Sequence, residues 1–443
     1  MPIWKIKDKN QGIFTVENPQ KHKDLYFPLT NTTGRIFSWI SPFLSGDIKT
    51  TVRSYLTPPA TISDIRNPSC IRTLWLYFNK KDLINLSCFW PTDDRLSVEA
   101  GPLWHKVIRK NKDHGLSIEI TSFVPESASA EILWIKITNE GAQTKRFTPV
   151  TSIPLFCRAQ ENLFDHRHVT SLLNRAFVDK RTILVKPTMN FDERGHRKNQ
   201  TAYFVSGFTD RHRELSGIFA TLDEFCGRAG NLAFPESVYL NKRPKHKTSI
   251  SGKENIAGLK FKEHVLAPHK TLNIFLIMGV AESGNAKKIY DRFNTPQKIY
   301  KAFEASKKAW SKVFSNFDLT SGNELFDFWM KWVALQPRLR RLFGCSFIGH
   351  FDYGKGGRGW RDLWQDLLSI VLINPAKIKK DLIRNFEGVR IDASNATVIT
   401  GGGEFIADRN KISRIWMDHG IWPFITTKAS LGANRLFRTS SPL

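Results

Sequence analysis

The densest reactive chemistry in this sequence lies in the run Asp352-Tyr353-Gly354-Lys355-Gly356-Gly357-Arg358-Gly359-Trp360-Arg361-Asp362-Leu363-Trp364-Gln365-Asp366. A glycine-rich loop leads there straight into a helical pattern. Glycines let a backbone come close to a ligand, and a helix start offers unpaired N–H groups. Arg361 and Gln365, four apart, share one helix face, and Asp362 and Asp366 share the adjacent face. With Trp360 and Trp364 interleaved, the set suits a sugar: charged groups bond hydroxyls while an indole covers the apolar ring face. The same residues would equally make a buried Arg–Asp network that holds a helix end. A Walker A phosphate loop is excluded, because no Lys-Ser/Thr pair follows the second glycine.

Other clusters carry weaker signals. Asp165-His166-Arg167-His168 contains metal-ligand types, but sequence neighbours rarely point at one ion, and a loop with polar contacts is the expectation. Asp192-Glu193-Arg194-Gly195-His196 reads as a charged turn. Glu404 and Asp408 follow three glycines and read as a solvated loop or a carboxylate pair. Asp418-His419-Gly420 sits among Trp416, Trp422 and Phe424, a setting fit for a sugar cleft or for helix packing.

These residues need elements to position them, and the chain has two textures. Residues 1 to about 280 read as strands. Ser117–Phe123 and Leu259–Val265 largely alternate apolar and polar residues, the mark of a half-buried strand. Glu131–Ile137 is greasier, as in a strand covered on both faces. Turn signals recur at Thr57-Pro58-Pro59, Asn139-Glu140-Gly141 and Glu193-Arg194-Gly195. Many strands with short links imply a large antiparallel sandwich. After about 283 the period becomes helical. Ile299, Phe303, Trp310, Val313 and Phe317 form one stripe. Leu325, Phe326, Trp329, Trp332 and Val333 form a second, expected to stop at Pro337. Trp360–Ile373 forms a third. Pro375 marks a fourth start, followed by Ile378, Leu382, Ile383 and Phe386 and closed by Gly388.

Composition sets the outer bounds. The chain has 443 residues, 41% hydrophobic and 24% charged, so it is globular and long enough for two or three domains. Cys70, Cys88, Cys157, Cys226 and Cys345 are scattered and odd in number, which argues against a disulfide scaffold and fits a reducing compartment. Met1–Lys9 has no apolar core of a secretory signal, and the longest greasy stretch, Leu272–Ala281, is too short to span a bilayer. The expectation is a cytoplasmic protein with no membrane partner. The net charge of +25 raises nucleic acid as a partner, but no RNA- or DNA-binding pattern accompanies Lys242–Lys247 or Arg338–Arg341. A basic surface suited to an anionic small substrate remains the alternative.

The segment Gly357–Leu368 resembles the arginine–glycine, arginine–aspartate and glutamine–aspartate motif of inverting glycoside phosphorylases of the cellobiose phosphorylase type, glycoside hydrolase family 94. Ser41–Asp47, Asp165–His168 and Asp408–Pro423 are similar to further family segments, so the resemblance runs from near residue 1 to about 428. It implies an α+β multidomain fold: an N-terminal super-β-sandwich over 1–280, a helical linker over 281–320, and the start of an (α/α)6 barrel over 321–443. It implies that Arg358 and Asp362 hold the glucosyl unit, with Arg361, Gln365 and Asp366 beside them. One carboxylic acid would protonate the glycosidic oxygen while inorganic phosphate attacks the anomeric carbon from the opposite face. Phosphate is thus a co-substrate, and no cofactor or metal is required. The partners implied are a β-glucoside oligosaccharide and phosphate, in a homodimer.

In that family the general acid is an aspartate on a later barrel segment, which Asp418 does not match. Ala429–Leu443 reads as a Ser/Arg-rich tail without helical periodicity. The chain is therefore expected to be a C-terminally truncated member, inactive alone. A non-catalytic sugar-binding or structural fragment is the competing expectation.

Overall fold

The strand Ala130–Asn139 shows why this chain builds layers. In the computed structural model, Ala130 and Ile132 join one apolar cluster, while Leu133, Ile135 and Ile137 join another. A strand alternates its side chains between two faces, so a strand covered on both sides reads as a continuous apolar run. Thr271–Glu282, its neighbour, does the same with Phe275 and Ile277 on one face and Ile274, Leu276 and Met278 on the other. The stretch too short for a bilayer is this inner strand. The structure describes residues 3–22, 25–87, 92–192, 195–212, 214–245, 248–315, 317–343, 358–373, 378–392, 394–399, 405–406 and 417–439.

The chain divides into two compact units, Met1–Lys7 with Ile13–Ala309 and Asp8–Gly12 with Trp310–Leu443. In the first, an eleven-stranded sheet runs in the order Trp4–Asp8, Ile13–Glu17, Arg95–Gly101, Trp104–Asn111, Leu116–Phe123, Ala130–Asn139, Thr271–Glu282, Thr201–Thr209, Thr182–Val185, Arg175–Asp179, Ser249–Ser251. Its centre is antiparallel, with Ile118 opposite Ile137 and Ile120 opposite Ile135. A seven-stranded sheet built around Thr73–Asn79, Lys145–Ser152 and Asn255–Lys260 forms the second layer. Leu74, Leu76 and Phe147 from the second layer share one core with Ile118, Ile135, Val205 and Ile274 from the first. The alternating run expected at Leu259–Val265 is two strands, Asn255–Lys260 and His264–Leu266. Both pair with Lys145–Ser152, and the interruption lies at 261–263.

The far face of the large sheet is covered by helices Ala286–Arg292 and Pro296–Phe314. Phe303 stacks edge-on against Trp104 at 5.7 Å, and Ile299 is fully buried. Burying a side chain of this size contributes about 1.5–3 kcal/mol. Phe317, expected on the same stripe, falls beyond the end of the helix. Between the two sheets, Arg72 and Glu131 form a fully buried ion pair at 3.1 Å. The guanidinium also donates to the Ser38 hydroxyl and the Trp39 carbonyl.

The second unit is helical. Glu324–Phe343 does not stop at Pro337: the proline lies inside the helix, buried with Leu335 and Leu339. Packing of that face outweighs the lost backbone bond, a cost of about 3 kcal/mol in an exposed helix. Helices Trp360–Ile373, Lys379–Phe386 and Ile421–Thr439 follow, with a small sheet of Arg358–Gly359, Val398–Ile399 and Phe405–Ile406. Pro375 lies outside the described residues. The expected loss of helix after Ala429 is incorrect. The last helix continues to Thr439, because buried Ser430 and half-buried Ala433 keep one face packed and nothing stronger than Gly432 interrupts it.

Candidate functional site

Helix Trp360–Ile373 starts from a strand, which fixes its first turn. Arg358 pairs with Ile399 and Gly359 with Val398, and the Trp360 amide donates to the Thr397 carbonyl at 2.9 Å. Trp360 and Trp364 are buried and meet edge-to-face at 5.5 Å, in a cluster with Ala396, Leu382, Phe405 and Trp422. The Trp360 indole donates to the His419 carbonyl at 3.1 Å, and Thr426 donates to the Trp364 carbonyl at 3.3 Å. Protein covers both indoles, so they anchor the helix rather than cover a sugar ring. Gly388 permits this packing: a Cβ there would stand 2.5 Å from Trp360 and 2.6 Å from Phe405.

The polar residues of the helix divide into two groups. Arg361 is exposed and grips Asp418 with two nitrogens, Nε at 2.7 Å and a terminal nitrogen at 3.3 Å. Asp418 also accepts the Trp422 indole N–H at 3.1 Å. That hydrogen bond, with the Arg361 guanidinium, holds the Asp418 carboxyl below the ordinary aspartate range. His419 is held neutral, its pKa lowered by burial, and its Nδ1 lies 2.9 Å from the Asn395 amide. Asn395, His419 and Asp418 thus fix the segment that faces the helix start.

Asp366, on the next turn, is buried and pairs with Arg340 of helix Glu324–Phe343 at 2.9 Å. Asp362 is half-buried, and its Oδ2 would lie 2.9 Å from a Cβ on Gly359, so the carboxylate rests against bare glycine backbone. Gln365 is half-buried one turn along from Arg361. The backbone of Arg358 lies in the strand before the helix. The structure therefore brings Arg361, Asp362 and Gln365 to one helix start and ties Asp366 to a neighbouring helix. Glu404, Asp408 and Trp416 lie outside the described residues.

From sequence alone Asp418 carries little weight, and Arg340 is only part of a basic patch. The Asp418–Trp422 spacing of four was the available signal for the first. Arg340 could not be paired with Asp366 without the tertiary fold. Elsewhere, His166, which precedes the short helix Arg167–Ser171, and His168 within it have ring centres 5.6 Å apart. Among the described residues, no three His, Cys, Asp or Glu side chains converge as metal ligands. Ser41–Asp47 is a buried turn in which the Ser41 and Ser45 hydroxyls share a hydrogen at 2.6 Å. No helix among the described residues is long and apolar enough to cross a membrane.

Residues 104–296 match the family described as Glycosyl hydrolase 94, supersandwich domain. N,N'-diacetylchitobiose phosphorylase of Vibrio proteolyticus is 21% identical over 277 residues, 62% of this chain and 33% of that protein. The enzyme of the same name from Vibrio furnissii is 27% identical over 135 residues, 30% of this chain and 17% of its own. The matched part thus spans a third or less of these relatives. Among solved structures, a bacterial glucoamylase complexed with acarbose superposes over 93% of this chain and 56% of its own, with a TM-score of 0.59 and 12% identity. A candidate kojibiose phosphorylase from the human microbiome superposes over 97% of this chain and 57% of its own, with a TM-score of 0.51 and 11% identity. These likenesses extend the fold correspondence beyond the sheet unit.

Proposed function

We propose that this chain belongs to an inverting glycoside phosphorylase that cleaves a β-glucoside with inorganic phosphate and releases α-glucose 1-phosphate. The observation that carries the reading is the helix start itself. Arg361 and Asp362 on the first turn and Gln365 on the second stand at the start of a helix anchored by two buried tryptophans, in a chain whose sheet unit matches the family 94 supersandwich domain. Arg358 and Asp362 hold the glucosyl unit, and Arg361, Gln365 and Asp366 fix the surrounding geometry. The helical unit forms the start of an (α/α)6 barrel, and the linker lies at 281–320. Phosphate is a co-substrate, and the basic net charge favours its approach. The protein works in the cytoplasm as a homodimer.

Asp418 is held as an anion, so it is a positioning group and not the proton donor. We accordingly propose that the 443-residue chain does not turn over by itself. The second reading, a non-catalytic sugar-binding or structural chain, is favoured by the same contacts: Arg361 and Asp366 are each engaged by another protein side chain.

The test is to incubate the purified chain with phosphate and cellobiose, laminaribiose, sophorose or N,N'-diacetylchitobiose, and to measure the sugar 1-phosphate released. Saccharide binding without release supports the proposal for this chain. Release from N,N'-diacetylchitobiose alone replaces glucose by N-acetylglucosamine as the sugar. Absence of binding to all four leaves the structural reading.

A further inference from the structure

Large apolar side chains stand in solvent on two adjoining segments of the sheet unit. On and beside the short helix Arg167–Ser171, Phe164 is 76% exposed, Val169 52% and Leu172 59%. On the hairpin of Met189–Asp192 with Gly195–Lys198, Phe191 is 40% exposed and Met189 36%. We propose that this face docks on an anionic lipid surface. The proposal does not rest on the phosphorylase reading.

Hydrogen bonds at both ends hold the two segments side by side. The Asn162 amide donates to the Phe191 carbonyl at 2.8 Å, and the Thr188 N–H donates to the Leu173 carbonyl at 2.9 Å. The hairpin turns its apolar side outward. Strand residues alternate between faces, and Asp192 is buried and Asn190 half-buried, so Met189 and Phe191 occupy the opposite, wet face. Their cross-strand neighbours on that face are Lys198 and His196, and the Phe191 ring stacks on the imidazole at 4.7 Å. Among the described residues this hairpin pairs with no further strand, and two strands alone are marginal in water.

The charges set the partner. Arg167, Arg197 and Lys198 are exposed on the same two segments, and among the described residues none of them is paired with a carboxylate. Of the described carboxylates there, Asp192 is buried, Asp165 accepts from the Asn162 amide at 2.9 Å, and only Glu161 is exposed. The face is therefore apolar and cationic together, in a chain of net charge +25. A second copy would set like charges against each other. A lipid headgroup layer takes both chemistries at once: its anionic groups draw the cations, while aromatic and aliphatic side chains enter the boundary beneath. It also demands no matching shape, which suits side chains spread over a helix turn and a hairpin. A five-residue helix and four-residue strands are too short to cross a bilayer, so these segments lie on it.

The experiment is vesicle co-sedimentation of the whole chain at physiological salt, with phosphatidylcholine alone and with two parts phosphatidylcholine to one part phosphatidylserine. Binding to the mixed vesicles is expected, with little to phosphatidylcholine alone. Phe164→Ala and Phe191→Ala leave the charge unchanged and should each weaken binding about tenfold. Arg197→Gln with Lys198→Gln should weaken it about fivefold for each charge removed. Melting temperatures should not move, because all four side chains are exposed. If either ring truncation lowers melting, Val169→Ser with Leu172→Ser tests the same face from the helix. No binding of wild type to the mixed vesicles overturns the proposal. Binding that every apolar variant retains in full also overturns it, since the net charge alone then accounts for the attraction. Equal binding to both kinds of vesicle removes the anionic requirement and overturns it as well. Sedimentation of the chain without lipid gives the remaining outcome: a wild-type dimer that Phe164→Ala and Phe191→Ala dissociate assigns the face to a second copy and overturns the lipid surface.

Discussion

Arg361 and Asp418 are 57 residues apart in sequence and meet as a forked ion pair, Nε to Oδ2 at 2.7 Å and the second nitrogen to Oδ1 at 3.3 Å. The contact ties the exposed side of the helix start to the turn before the last helix. It also keeps the Asp418 carboxyl ionised. A carboxylate that accepts from an indole and a guanidinium is stabilised as an anion, which is the opposite of what a proton donor requires.

Wherever phosphorolysis is measurable, Asp418→Asn should therefore reduce it far less than the roughly 10²–10⁴-fold loss that removing a general acid produces. The pair is 45% and 35% exposed on its two sides, so solvent screens it and its contribution to stability is small. Because the folded carboxyl is depressed, this stability is present at neutral pH and is lost as pH falls through the folded pKa. Melting curves between neutral and strongly acidic pH should show a slightly shallower acid loss in Asp418→Asn. A collapse of turnover with intact melting would make Asp418 the acid after all.

Asp362→Ala separates a sugar contact from a structural one. Each charge-assisted bond to a hydroxyl contributes about 1.5–3 kcal/mol, so saccharide affinity should fall about tenfold or more while the melting temperature hardly moves. Calorimetry and thermal melting on the same variant read the two effects apart. A large melting shift with unchanged affinity would assign Asp362 to holding the helix end.

Much of the sheet unit was legible because alternation reports burial directly. Glu131–Ile137 read as covered on both faces, and it separates two apolar clusters. Trp360–Ile373 was legible to the residue because its stripe and flanking glycines agree. Three features were not. Pro337 carries a strong local stop signal, which tertiary packing overrides. The tail after Ala429 has little pattern of its own, and its helix depends on burial of a few small residues. The role of Trp360 and Trp364 was open, because spacing cannot tell an indole packed on protein from one free to cover a sugar. In the same way Arg361–Asp418 and Arg340–Asp366 are tertiary pairs, and no local spacing announces them.

The Arg72–Glu131 pair yields a stability prediction for the sheet unit. Both side chains are fully buried, and burial raises the Glu131 carboxyl against the opposing pull of Arg72. Removing one partner leaves a buried charge, so Glu131→Leu should cost about 3–5 kcal/mol. Replacing both, as Arg72→Met with Glu131→Leu, should recover much of that loss. A chemical-denaturation double-mutant cycle checks it, and equal losses in the single and double variants would refute the coupling.

His105 gives the sheet unit a pH dependence of its own. Burial, with Arg72 adding repulsion, pushes its imidazole down from 6.5 to about 3. The unfolded chain binds this proton below about pH 6.5 and the folded chain does not, so stability falls as pH drops between those values. The slope from this group is about 1.4 kcal/mol per pH unit, or about 2 kcal/mol between pH 6.5 and 5. His264, lowered to about 4 chiefly by burial, acts in the same direction. Denaturation at pH 7 and pH 5 should show a smaller loss in His105→Leu than in wild type.

Gly388 tests whether the candidate site depends on its anchor. The sequence places this glycine just past helix Lys379–Phe386, where a left-handed terminator is common. Its φ is not positive, so conformational freedom is not the reason for it. The reason is space: a Cβ would stand 2.5 Å from Trp360 and 2.6 Å from Phe405, closer than real contacts allow. Trp360 cannot retreat freely, since its indole donates to the His419 carbonyl and its ring packs on Trp364. Gly388→Ala should therefore displace the first turn of helix Trp360–Ile373, at a cost of about 1–3 kcal/mol typical of overpacking. Arg361 and Asp362 follow Trp360 directly, so saccharide affinity at the helix should fall together with the melting temperature of the helical unit. If Gly388→Ala lowers melting while affinity at the helix stays intact, the tryptophan anchor supports the fold but does not position the sugar-binding groups.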